Sequence, residues 1–432
     1  VIATLLFVAF VAMMLVGVPI GAALGLAGAA CIALANGDAQ WFGLLAVPQN
    51  FYAGLGKYPL LAIPMFVLVG SIFDRSGVAL RLVNFAIAIV GRGPGMLPLV
   101  TIAVAMFMGG ISGSGPATAA AVGGVMIAAM ARAGYPSAFA ASVVGAAAAT
   151  DILIPPSVAF IVYSVLVPNA SVPALFAAGM IPGILAGLAL MVPAVWLARK
   201  HKMGTLEAAL PRPPFWKSLR DAIWGLAAPV LILGGMRLGW FTPTEAAVVA
   251  VFYGLFVGMV VHRTIKVRDL FVILRESGEL SAVILVVVSL AGIFAYSLST
   301  LGVIDPVAHA IVNSGLGEYG VLSLLILLLI TVGMFLDGVS IFLIFVPLLW
   351  PIVQYYKWDP VWFGVILTLK VALGQFTPPL AVNLMVSCRI AKVRMEETVR
   401  WVGWLLFAMF LVMVLVIIFP ELALWLPRKL GY

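Results

Sequence analysis

Apolar runs long enough to cross a bilayer core, about 20 residues each, recur from one end of the chain to the other, separated by short polar and basic segments. The pattern predicts full helical crossings at about 1–16, 19–35, 59–73, 136–167, 174–198, 222–238, 243–261, 280–300, 360–388 and 401–420. The first is read as a structural span and not as a signal peptide. It runs straight into a second span without a small-residue cleavage site. Two further apolar stretches, 96–133 and 319–356, are each interrupted near the centre by glycine. The first interruption reads Gly109-Gly110-Ile111-Ser112-Gly113-Ser114-Gly115-Pro116. The second reads Gly333-Met334-Phe335-Leu336-Asp337-Gly338.

The basic residues orient the spans. Eighteen of the 24 Lys and Arg fall on one side of this layout, mostly near 75–95, 199–220, 262–279 and 389–400. Lys57, Arg237, Lys357, Arg428 and Lys429 fall on the other, and Lys370 lies within a span. Positive residues stay inside, so the first set is expected in the cytoplasm and both termini outside. Stretch 96–133 then begins and ends inside, and 319–356 begins and ends outside. Both are expected to be re-entrant helical hairpins. Irregular backbone at membrane depth is tolerated only where protein covers it or where it lines a water-filled site.

Shifting the chain by 223 residues aligns its punctuation: Gly110 on Gly333, Gly115 on Gly338, Ala149 on Ala372, Pro155-Pro156 on Pro378-Pro379. Gly and Pro fix backbone shape, which outlasts side-chain identity in diverged repeats. Each repeat holds five crossings and a hairpin. Because five is odd, the second enters the membrane from the opposite side, an arrangement typical of secondary transporters. The expected fold is an all-α polytopic membrane protein of two inverted-topology repeats, 1–205 and 222–432, joined by a cytoplasmic linker at 206–221. The first holds scaffold spans at 1–73, a hairpin at 96–133 and a broken helix at 136–167. The second holds a hairpin at 319–356 and a broken helix at 360–388. Segments 40–56 and 264–279 are read as interfacial bracing arms.

Composition removes the competing classes. The chain is 64% hydrophobic and 9% charged, against about 25% charged in soluble domains. A soluble enzyme, a disordered chain and a disulfide scaffold are excluded. The net charge of +8 follows from loop orientation, so no nucleic acid is expected as a partner. Cys31 and Cys388 have no metal-ligand spacing. His201, His262 and His309 sit at or near loop ends. The glycine-rich tip lacks the Lys-Ser/Thr of a phosphate loop, and no HExxH motif occurs.

The candidate chemistry lies at the helix breaks. The first broken helix opens at Ala149-Thr150-Asp151-Ile152-Leu153-Ile154-Pro155-Pro156-Ser157 and the second at Gly374-Gln375-Phe376-Thr377-Pro378-Pro379. A proline disfavours helix at the residue before it. Freed carbonyls there become oxygen ligands, and the half-helices that follow offer N–H groups and positive dipole ends. Asp151 and Asp337 are read as the acids at membrane depth, where aspartate is expensive and usually functional. They either bind a cation or couple protons, or they are neutral or lysine-paired caps. Ser112, Ser114, Thr118, Thr150 and Thr377 suit a hard cation such as sodium, although such hydroxyls also serve ordinary helix packing. Asn383 faces the same cavity in this reading. Lys370 either holds a substrate carboxylate, neutralises Asp337 or Asp151, or snorkels.

The tip from Gly109 to Ala120, the run Asp151 to Ser157, the run Gly374 to Pro379 and Phe241-Thr-Pro-Thr-Glu-Ala-Ala247 resemble the large membrane subunit of TRAP (tripartite ATP-independent periplasmic) transporters. The similarity covers nearly the whole chain. It implies an elevator-type fold in which hairpins and broken helices move against a scaffold. It also implies a small four-span membrane subunit, a periplasmic substrate-binding protein and sodium-driven import of an organic anion, such as a C4-dicarboxylate or sialic acid, across the bacterial inner membrane. One implied sodium site joins Ser112, Gly113, Ser114, Gly115 and Thr118 to Thr150, Asp151 and Pro155. The other joins Gly333, Asp337 and Gly338 to Gly374, Thr377 and Pro378. Ser114, Pro156, Lys370 and Asn383 are expected at the substrate. The length suggests the type in which the small subunit is a separate chain. A self-sufficient sodium- or proton-coupled anion symporter is the alternative within transport, and an intramembrane enzyme with an Asp151–Asp337 dyad the alternative outside it.

Overall fold

A computed structural model describes residues 2–35, 40–90, 93–207, 212–334, 336 and 338–432. Every regular element among them is helical. The α-helices are, in order, α1 (Ile2–Leu15), α2 (Ile20–Ala35), α3 (Gln40–Leu55), α4 (Ala62–Arg75), α5 (Val78–Ile89), α6 (Met96–Ser112), α7 (Gly115–Arg132), α8 (Ser137–Ala148), α9 (Val158–Leu166) and α10 (Val172–Lys200). The second half continues with α11 (Phe215–Arg237), α12 (Pro243–Phe256), α13 (Val267–Thr300), α14 (Ile304–Val312), α15 (Gly317–Gly333), α16 (Gly338–Tyr355), α17 (Pro360–Gly374), α18 (Val382–Ala391), α19 (Val399–Ile418) and α20 (Glu421–Leu430).

Among the described residues, seven helical stretches have the length and apolarity of membrane spans: 58–75, 172–200, 215–237, 243–261, 267–300, 338–355 and 395–418. Apolar side chains such as Val192, Val230, Phe252, Val283 and Phe407 are exposed along them, as lipid permits and water does not. Helix starts follow local chemistry. Thr242 and Glu245 form a reciprocal capping box ahead of Pro243. Asp359 accepts from the Val361 and Trp362 N–H groups, with Pro360 in the first helical position.

The same succession of elements recurs along the chain. The pairs α1 and α11, α2 and α12, α5 and α14, α6 and α15, α7 and α16, α8 and α17, α10 and α19 stand about 223 residues apart. Among the described residues the halves differ at the α3–α4 break, and also where α10 runs unbroken to Lys200 while the second half breaks between α19 and α20. The first half breaks between α3 and α4 at Gly56 and Lys57, whereas α13 runs unbroken for 34 residues. This corrects the expected division into an arm at 264–279 and a crossing at 280–300. Arg268, Arg275, Glu276 and Glu279 ride on the exposed end of one helix, and Arg75 pairs with Glu276 at 2.6 Å. Two further expectations change. Segment 75–95 is not a loop, because it holds α5, five of whose twelve residues are buried. The expected linker 206–221 gives way to α11 at Phe215.

The deepest packing surrounds α8 and α17. Residues 139–148 and 362–374 are buried throughout. Helix α8 is rich in Ala and Gly, so neighbouring backbones approach closely and van der Waals contact supplies the cohesion. A Cβ on Gly145 would lie 3.0 Å from Leu384 Cα of α18.

Candidate functional site

Helix α6 ends at Ser112, and Gly113 turns the chain in the left-handed region (φ +61°). Helix α7 starts at Gly115 and packs back along α6. After α8 a single 3-10 turn, residues 149–152, presents Asp151. The chain then runs irregularly through Pro155 and Pro156, whose bond is cis, to α9. Ser157 closes this break, donating to Ile152 O at 2.6 Å and accepting from the Phe160 N–H. In the second half α17 ends at Gly374. An irregular segment with the cis bond Pro378–Pro379 leads to α18.

The first hairpin and the first break meet at the fully buried Asp151. Its Oδ2 accepts from Thr118 Oγ1 at 2.7 Å and Ser112 Oγ at 3.2 Å. Those two hydroxyls lie 3.3 Å apart. The Ser114 N–H donates to Ser112 Oγ at 3.3 Å. Oδ1 has no hydrogen-bond partner among the described residues. It faces Gly109, where any Cβ would collide with it. A carboxylate with one oxygen held by two hydroxyls and the other free is a donor set that fits a hard monovalent cation. Burial without such a partner is costly for a charged group. Among the described residues, no cluster of His, Cys, Asp and Glu suits a transition metal.

The tip also reaches the second half. A Cβ on Gly115 would lie 2.6 Å from Asn383 Nδ2 and 2.7 Å from Gln375 Oε1, and one on Gly113 would collide with Pro156 O. Asn383 Nδ2 donates to Gln375 Oε1 at 3.1 Å. The Asn383 N–H donates to Gln375 O at 3.0 Å, and Asn383 Oδ1 is left without a partner. Gln375 was not singled out from sequence, although it lies inside a recognised break.

Not every expected ligand turns inward. Thr150 Oγ1 donates to Ala147 O at 2.7 Å and Thr377 Oγ1 to Leu373 O at 2.6 Å, each back onto its own helix. At the second tip, Gly333 and Gly374 are in close contact: a Cβ on Gly374 would lie 2.6 Å from Gly333 O. Gly338 lies against Val371. Asp337 lies outside the described residues. Lys370 is fully buried beside Gly333, so it does not snorkel, and its Nζ has no hydrogen-bond partner among the described residues.

Two acids escaped the sequence reading. Asp74, near the end of α4, is half-buried, and its Oδ1 is buried without a hydrogen-bond partner among the described residues. Glu207, in the expected linker, is buried. It accepts from the Leu97 N–H at 2.9 Å and from the Tyr135 hydroxyl, which itself accepts from the Gly95 N–H at 2.7 Å. This cluster ties the chain after α10 to the base of the first hairpin. Burial pushes the Glu207 carboxyl above its ordinary range, although both donors favour the charged form.

Comparison with known proteins settles the family. Residues 7–422 match the tripartite ATP-independent periplasmic transporter, DctM component. The chain belongs to this family. It is 36% identical over 420 residues to the isethionate TRAP transporter permease protein DctMQ of Oleidesulfovibrio alaskensis, covering 97% of this chain and 65% of that one. It is 35% identical over 457 residues to the C4-dicarboxylate TRAP transporter large permease protein DctM of Vibrio cholerae, covering 99% of this chain and 97% of that one. Among solved structures, the Alcanivorax borkumensis YdaH transporter has a TM-score of 0.57 at 14% identity, covering 89% of this DctM-family chain and 90% of its own. That is a likeness of fold alone.

Proposed function

We propose that this chain is the large membrane subunit of a sodium-coupled secondary importer of organic anions in the bacterial inner membrane. A periplasmic binding protein delivers the anion, a carboxylate such as a C4-dicarboxylate or sialic acid. A small four-span subunit braces the scaffold. The two halves insert with opposite topology, which places both termini in the periplasm. Helices α6–α9 and α15–α18 form the moving body of an elevator, and the remaining spans form the scaffold.

One observation carries this reading: the buried Asp151 carboxylate, with Oδ2 held by Thr118 and Ser112 and Oδ1 free. Sodium is co-transported cargo here, and Asp151, Ser112 and Thr118 are its protein donors. The Ser112–Gly115 turn links cation and anion. Its backbone touches the first break through Gly113 and the second through Gly115. Filling the cation position therefore stiffens the surface against which the anion sits, between Ser114, Pro156 and Asn383.

The test is uptake of candidate acids into proteoliposomes, with the small subunit and a cognate binding protein added or omitted, with and without a sodium gradient. Uptake is expected to need all components and sodium. Asp151→Asn, which keeps the side-chain shape, is expected to abolish sodium-dependent uptake in a folded protein. Sodium-driven uptake that survives this change would refute the assignment of Asp151.

A further inference from the structure

A groove of about 580 Å³ opens between the first turn of α6 and the last three turns of α10. Leu99 forms one wall. The other is built from two i, i+4 rows on one face of α10, Met191-Val195-Arg199 and Val192-Trp196-Lys200. Each row runs from an aliphatic side chain to a cation over about 12 Å of helix. Gly95, in the left-handed region at φ +99°, seats the start of α6 against Val195: a Cβ there would lie 3.1 Å from Val195 Cγ1. At the mouth of the groove Lys200 Nζ stands 4.4 Å from the centre of the Trp196 ring, which holds the ammonium in place. That ring packs in turn on Trp404 of α19, with centroids 5.0 Å apart.

The charge around this groove has one sign. From Ser76 to Leu206 the chain carries six Lys and Arg and a single acid, Asp151, which is fully buried at the first hairpin. Glu207 beyond it is buried and already bonded to the Leu97 N–H and to Tyr135. On the α19 side Glu396 and Glu397 lie about two turns before Trp404, and Glu397 pairs with Arg394 at 3.2 Å. Arg199 and Lys200 are exposed and form no ion pair among the described residues. An aliphatic trough that ends in an indole and two unpaired cations matches an acyl chain that ends in a phosphate. We propose that this groove binds an anionic phospholipid, such as phosphatidylglycerol, from the leaflet that meets this end of α10. Arg199 and Lys200 hold the phosphodiester, Trp196 lies at the glycerol level, and Leu99, Val192 and Val195 cover the upper part of one acyl chain. A zwitterionic headgroup is disfavoured, because its ammonium meets two like charges and no free acid. Each Lys or Arg near anionic lipid contributes about fivefold in affinity, so the pair selects for the anionic lipid by about 25-fold.

The test is photolabelling of the purified chain, with whatever membrane partner co-purifies, in phosphatidylcholine vesicles. The probes are phosphatidylglycerol and phosphatidylethanolamine carrying the same photoreactive acyl chain, and labelled peptides are read by mass spectrometry. The peptides that hold Leu99, Val192 and Val195 are expected to take phosphatidylglycerol at least about tenfold more than phosphatidylethanolamine. Arg199→Gln combined with Lys200→Gln should bring the two probes level. Arg132→Gln, at the end of α7 and outside the groove, should leave the preference unchanged. Equal labelling by both probes in the natural protein overturns the proposal, whether or not the double variant folds. An equal loss in Arg132→Gln would reveal diffuse attraction to a basic surface and overturns the built site. Displacement of the phosphatidylglycerol probe by millimolar inorganic phosphate would assign the two cations to a soluble anion and overturns the lipid.

Discussion

Replacing Gly109 by alanine separates the site geometry from ordinary helix energetics, because the two give opposite signs. Gly109 lies in the last turn of α6. Within a helix, alanine is favoured over glycine by about 1 kcal/mol. Here the new methyl group would collide with Asp151 Oδ1 and sit 3.0 Å from Asp151 Cα, which is backbone and cannot swing aside. The carboxylate must then leave Thr118 and Ser112, its donors at 2.7 and 3.2 Å. Hydrogen bonds to charged groups contribute about 1.5–3 kcal/mol each. Taking the low end, about 3 kcal/mol is lost and about 1 kcal/mol regained, leaving a net loss of about 2 kcal/mol. The melt reads this net loss, whereas the helix gain is the same with and without sodium, so the sodium concentration giving half-maximal uptake rises because the carboxylate no longer stands at its two donors. The assay is sodium-titrated uptake in proteoliposomes, with thermal melting on the same preparations. Gly124→Ala is the control. Gly124 is exposed on α7 with no atom within 4 Å of a new Cβ, so the variant should melt no lower and keep its sodium dependence. A Gly109→Ala protein that also melts higher with unchanged sodium dependence would refute the packing of Asp151 against α6.

Thr118→Val keeps the shape and removes the 2.7 Å donor to Asp151. It should raise half-saturating sodium at least about tenfold, while Thr118→Ser should stay near the natural value, and equal titrations for both would count against the contact. The raised Glu207 carboxyl favours the protonated folded state, so its contribution to stability is full below the ordinary glutamate range and is lost as pH rises through the folded value. Glu207→Gln should flatten that part of the melting-temperature profile, and parallel profiles would contradict it. Lys57 Nζ donates to Val165 O at 2.9 Å and ties the α3–α4 connection to the end of α9. Lys57→Met should depopulate this arrangement by up to about tenfold, read as a shifted distance distribution between spin labels on α4 and α9.

Much of this architecture is legible in the sequence because Gly and Pro act on the backbone directly. The interruptions at 109–116 and 374–379 fall where helices end, whatever packs around them. Side-chain roles are less legible, because residue type does not say which way a hydroxyl turns. Ser112 and Thr118 face Asp151, whereas Thr150 and Thr377, grouped with them by composition, bond their own helices. The charged start of α13 reads as a separate arm because charge marks the end of the lipid phase, but charge does not stop a helix. Glu207 reads as a solvated linker charge because its partner Tyr135 lies 72 residues away in sequence. Asp74 sits beside Arg75 and passes for the edge of a loop. Its burial comes from packing that no local pattern encodes.

The tip of the first hairpin has a mechanical consequence. Its two glycines let one turn of backbone lie between Pro156 of the first half and the Gln375–Asn383 pair of the second. A hinge opening between the halves would have to shear this joint, pulling backbone away from amides already in van der Waals contact. The turn thus acts as a rivet: separating the halves at this point has to break it.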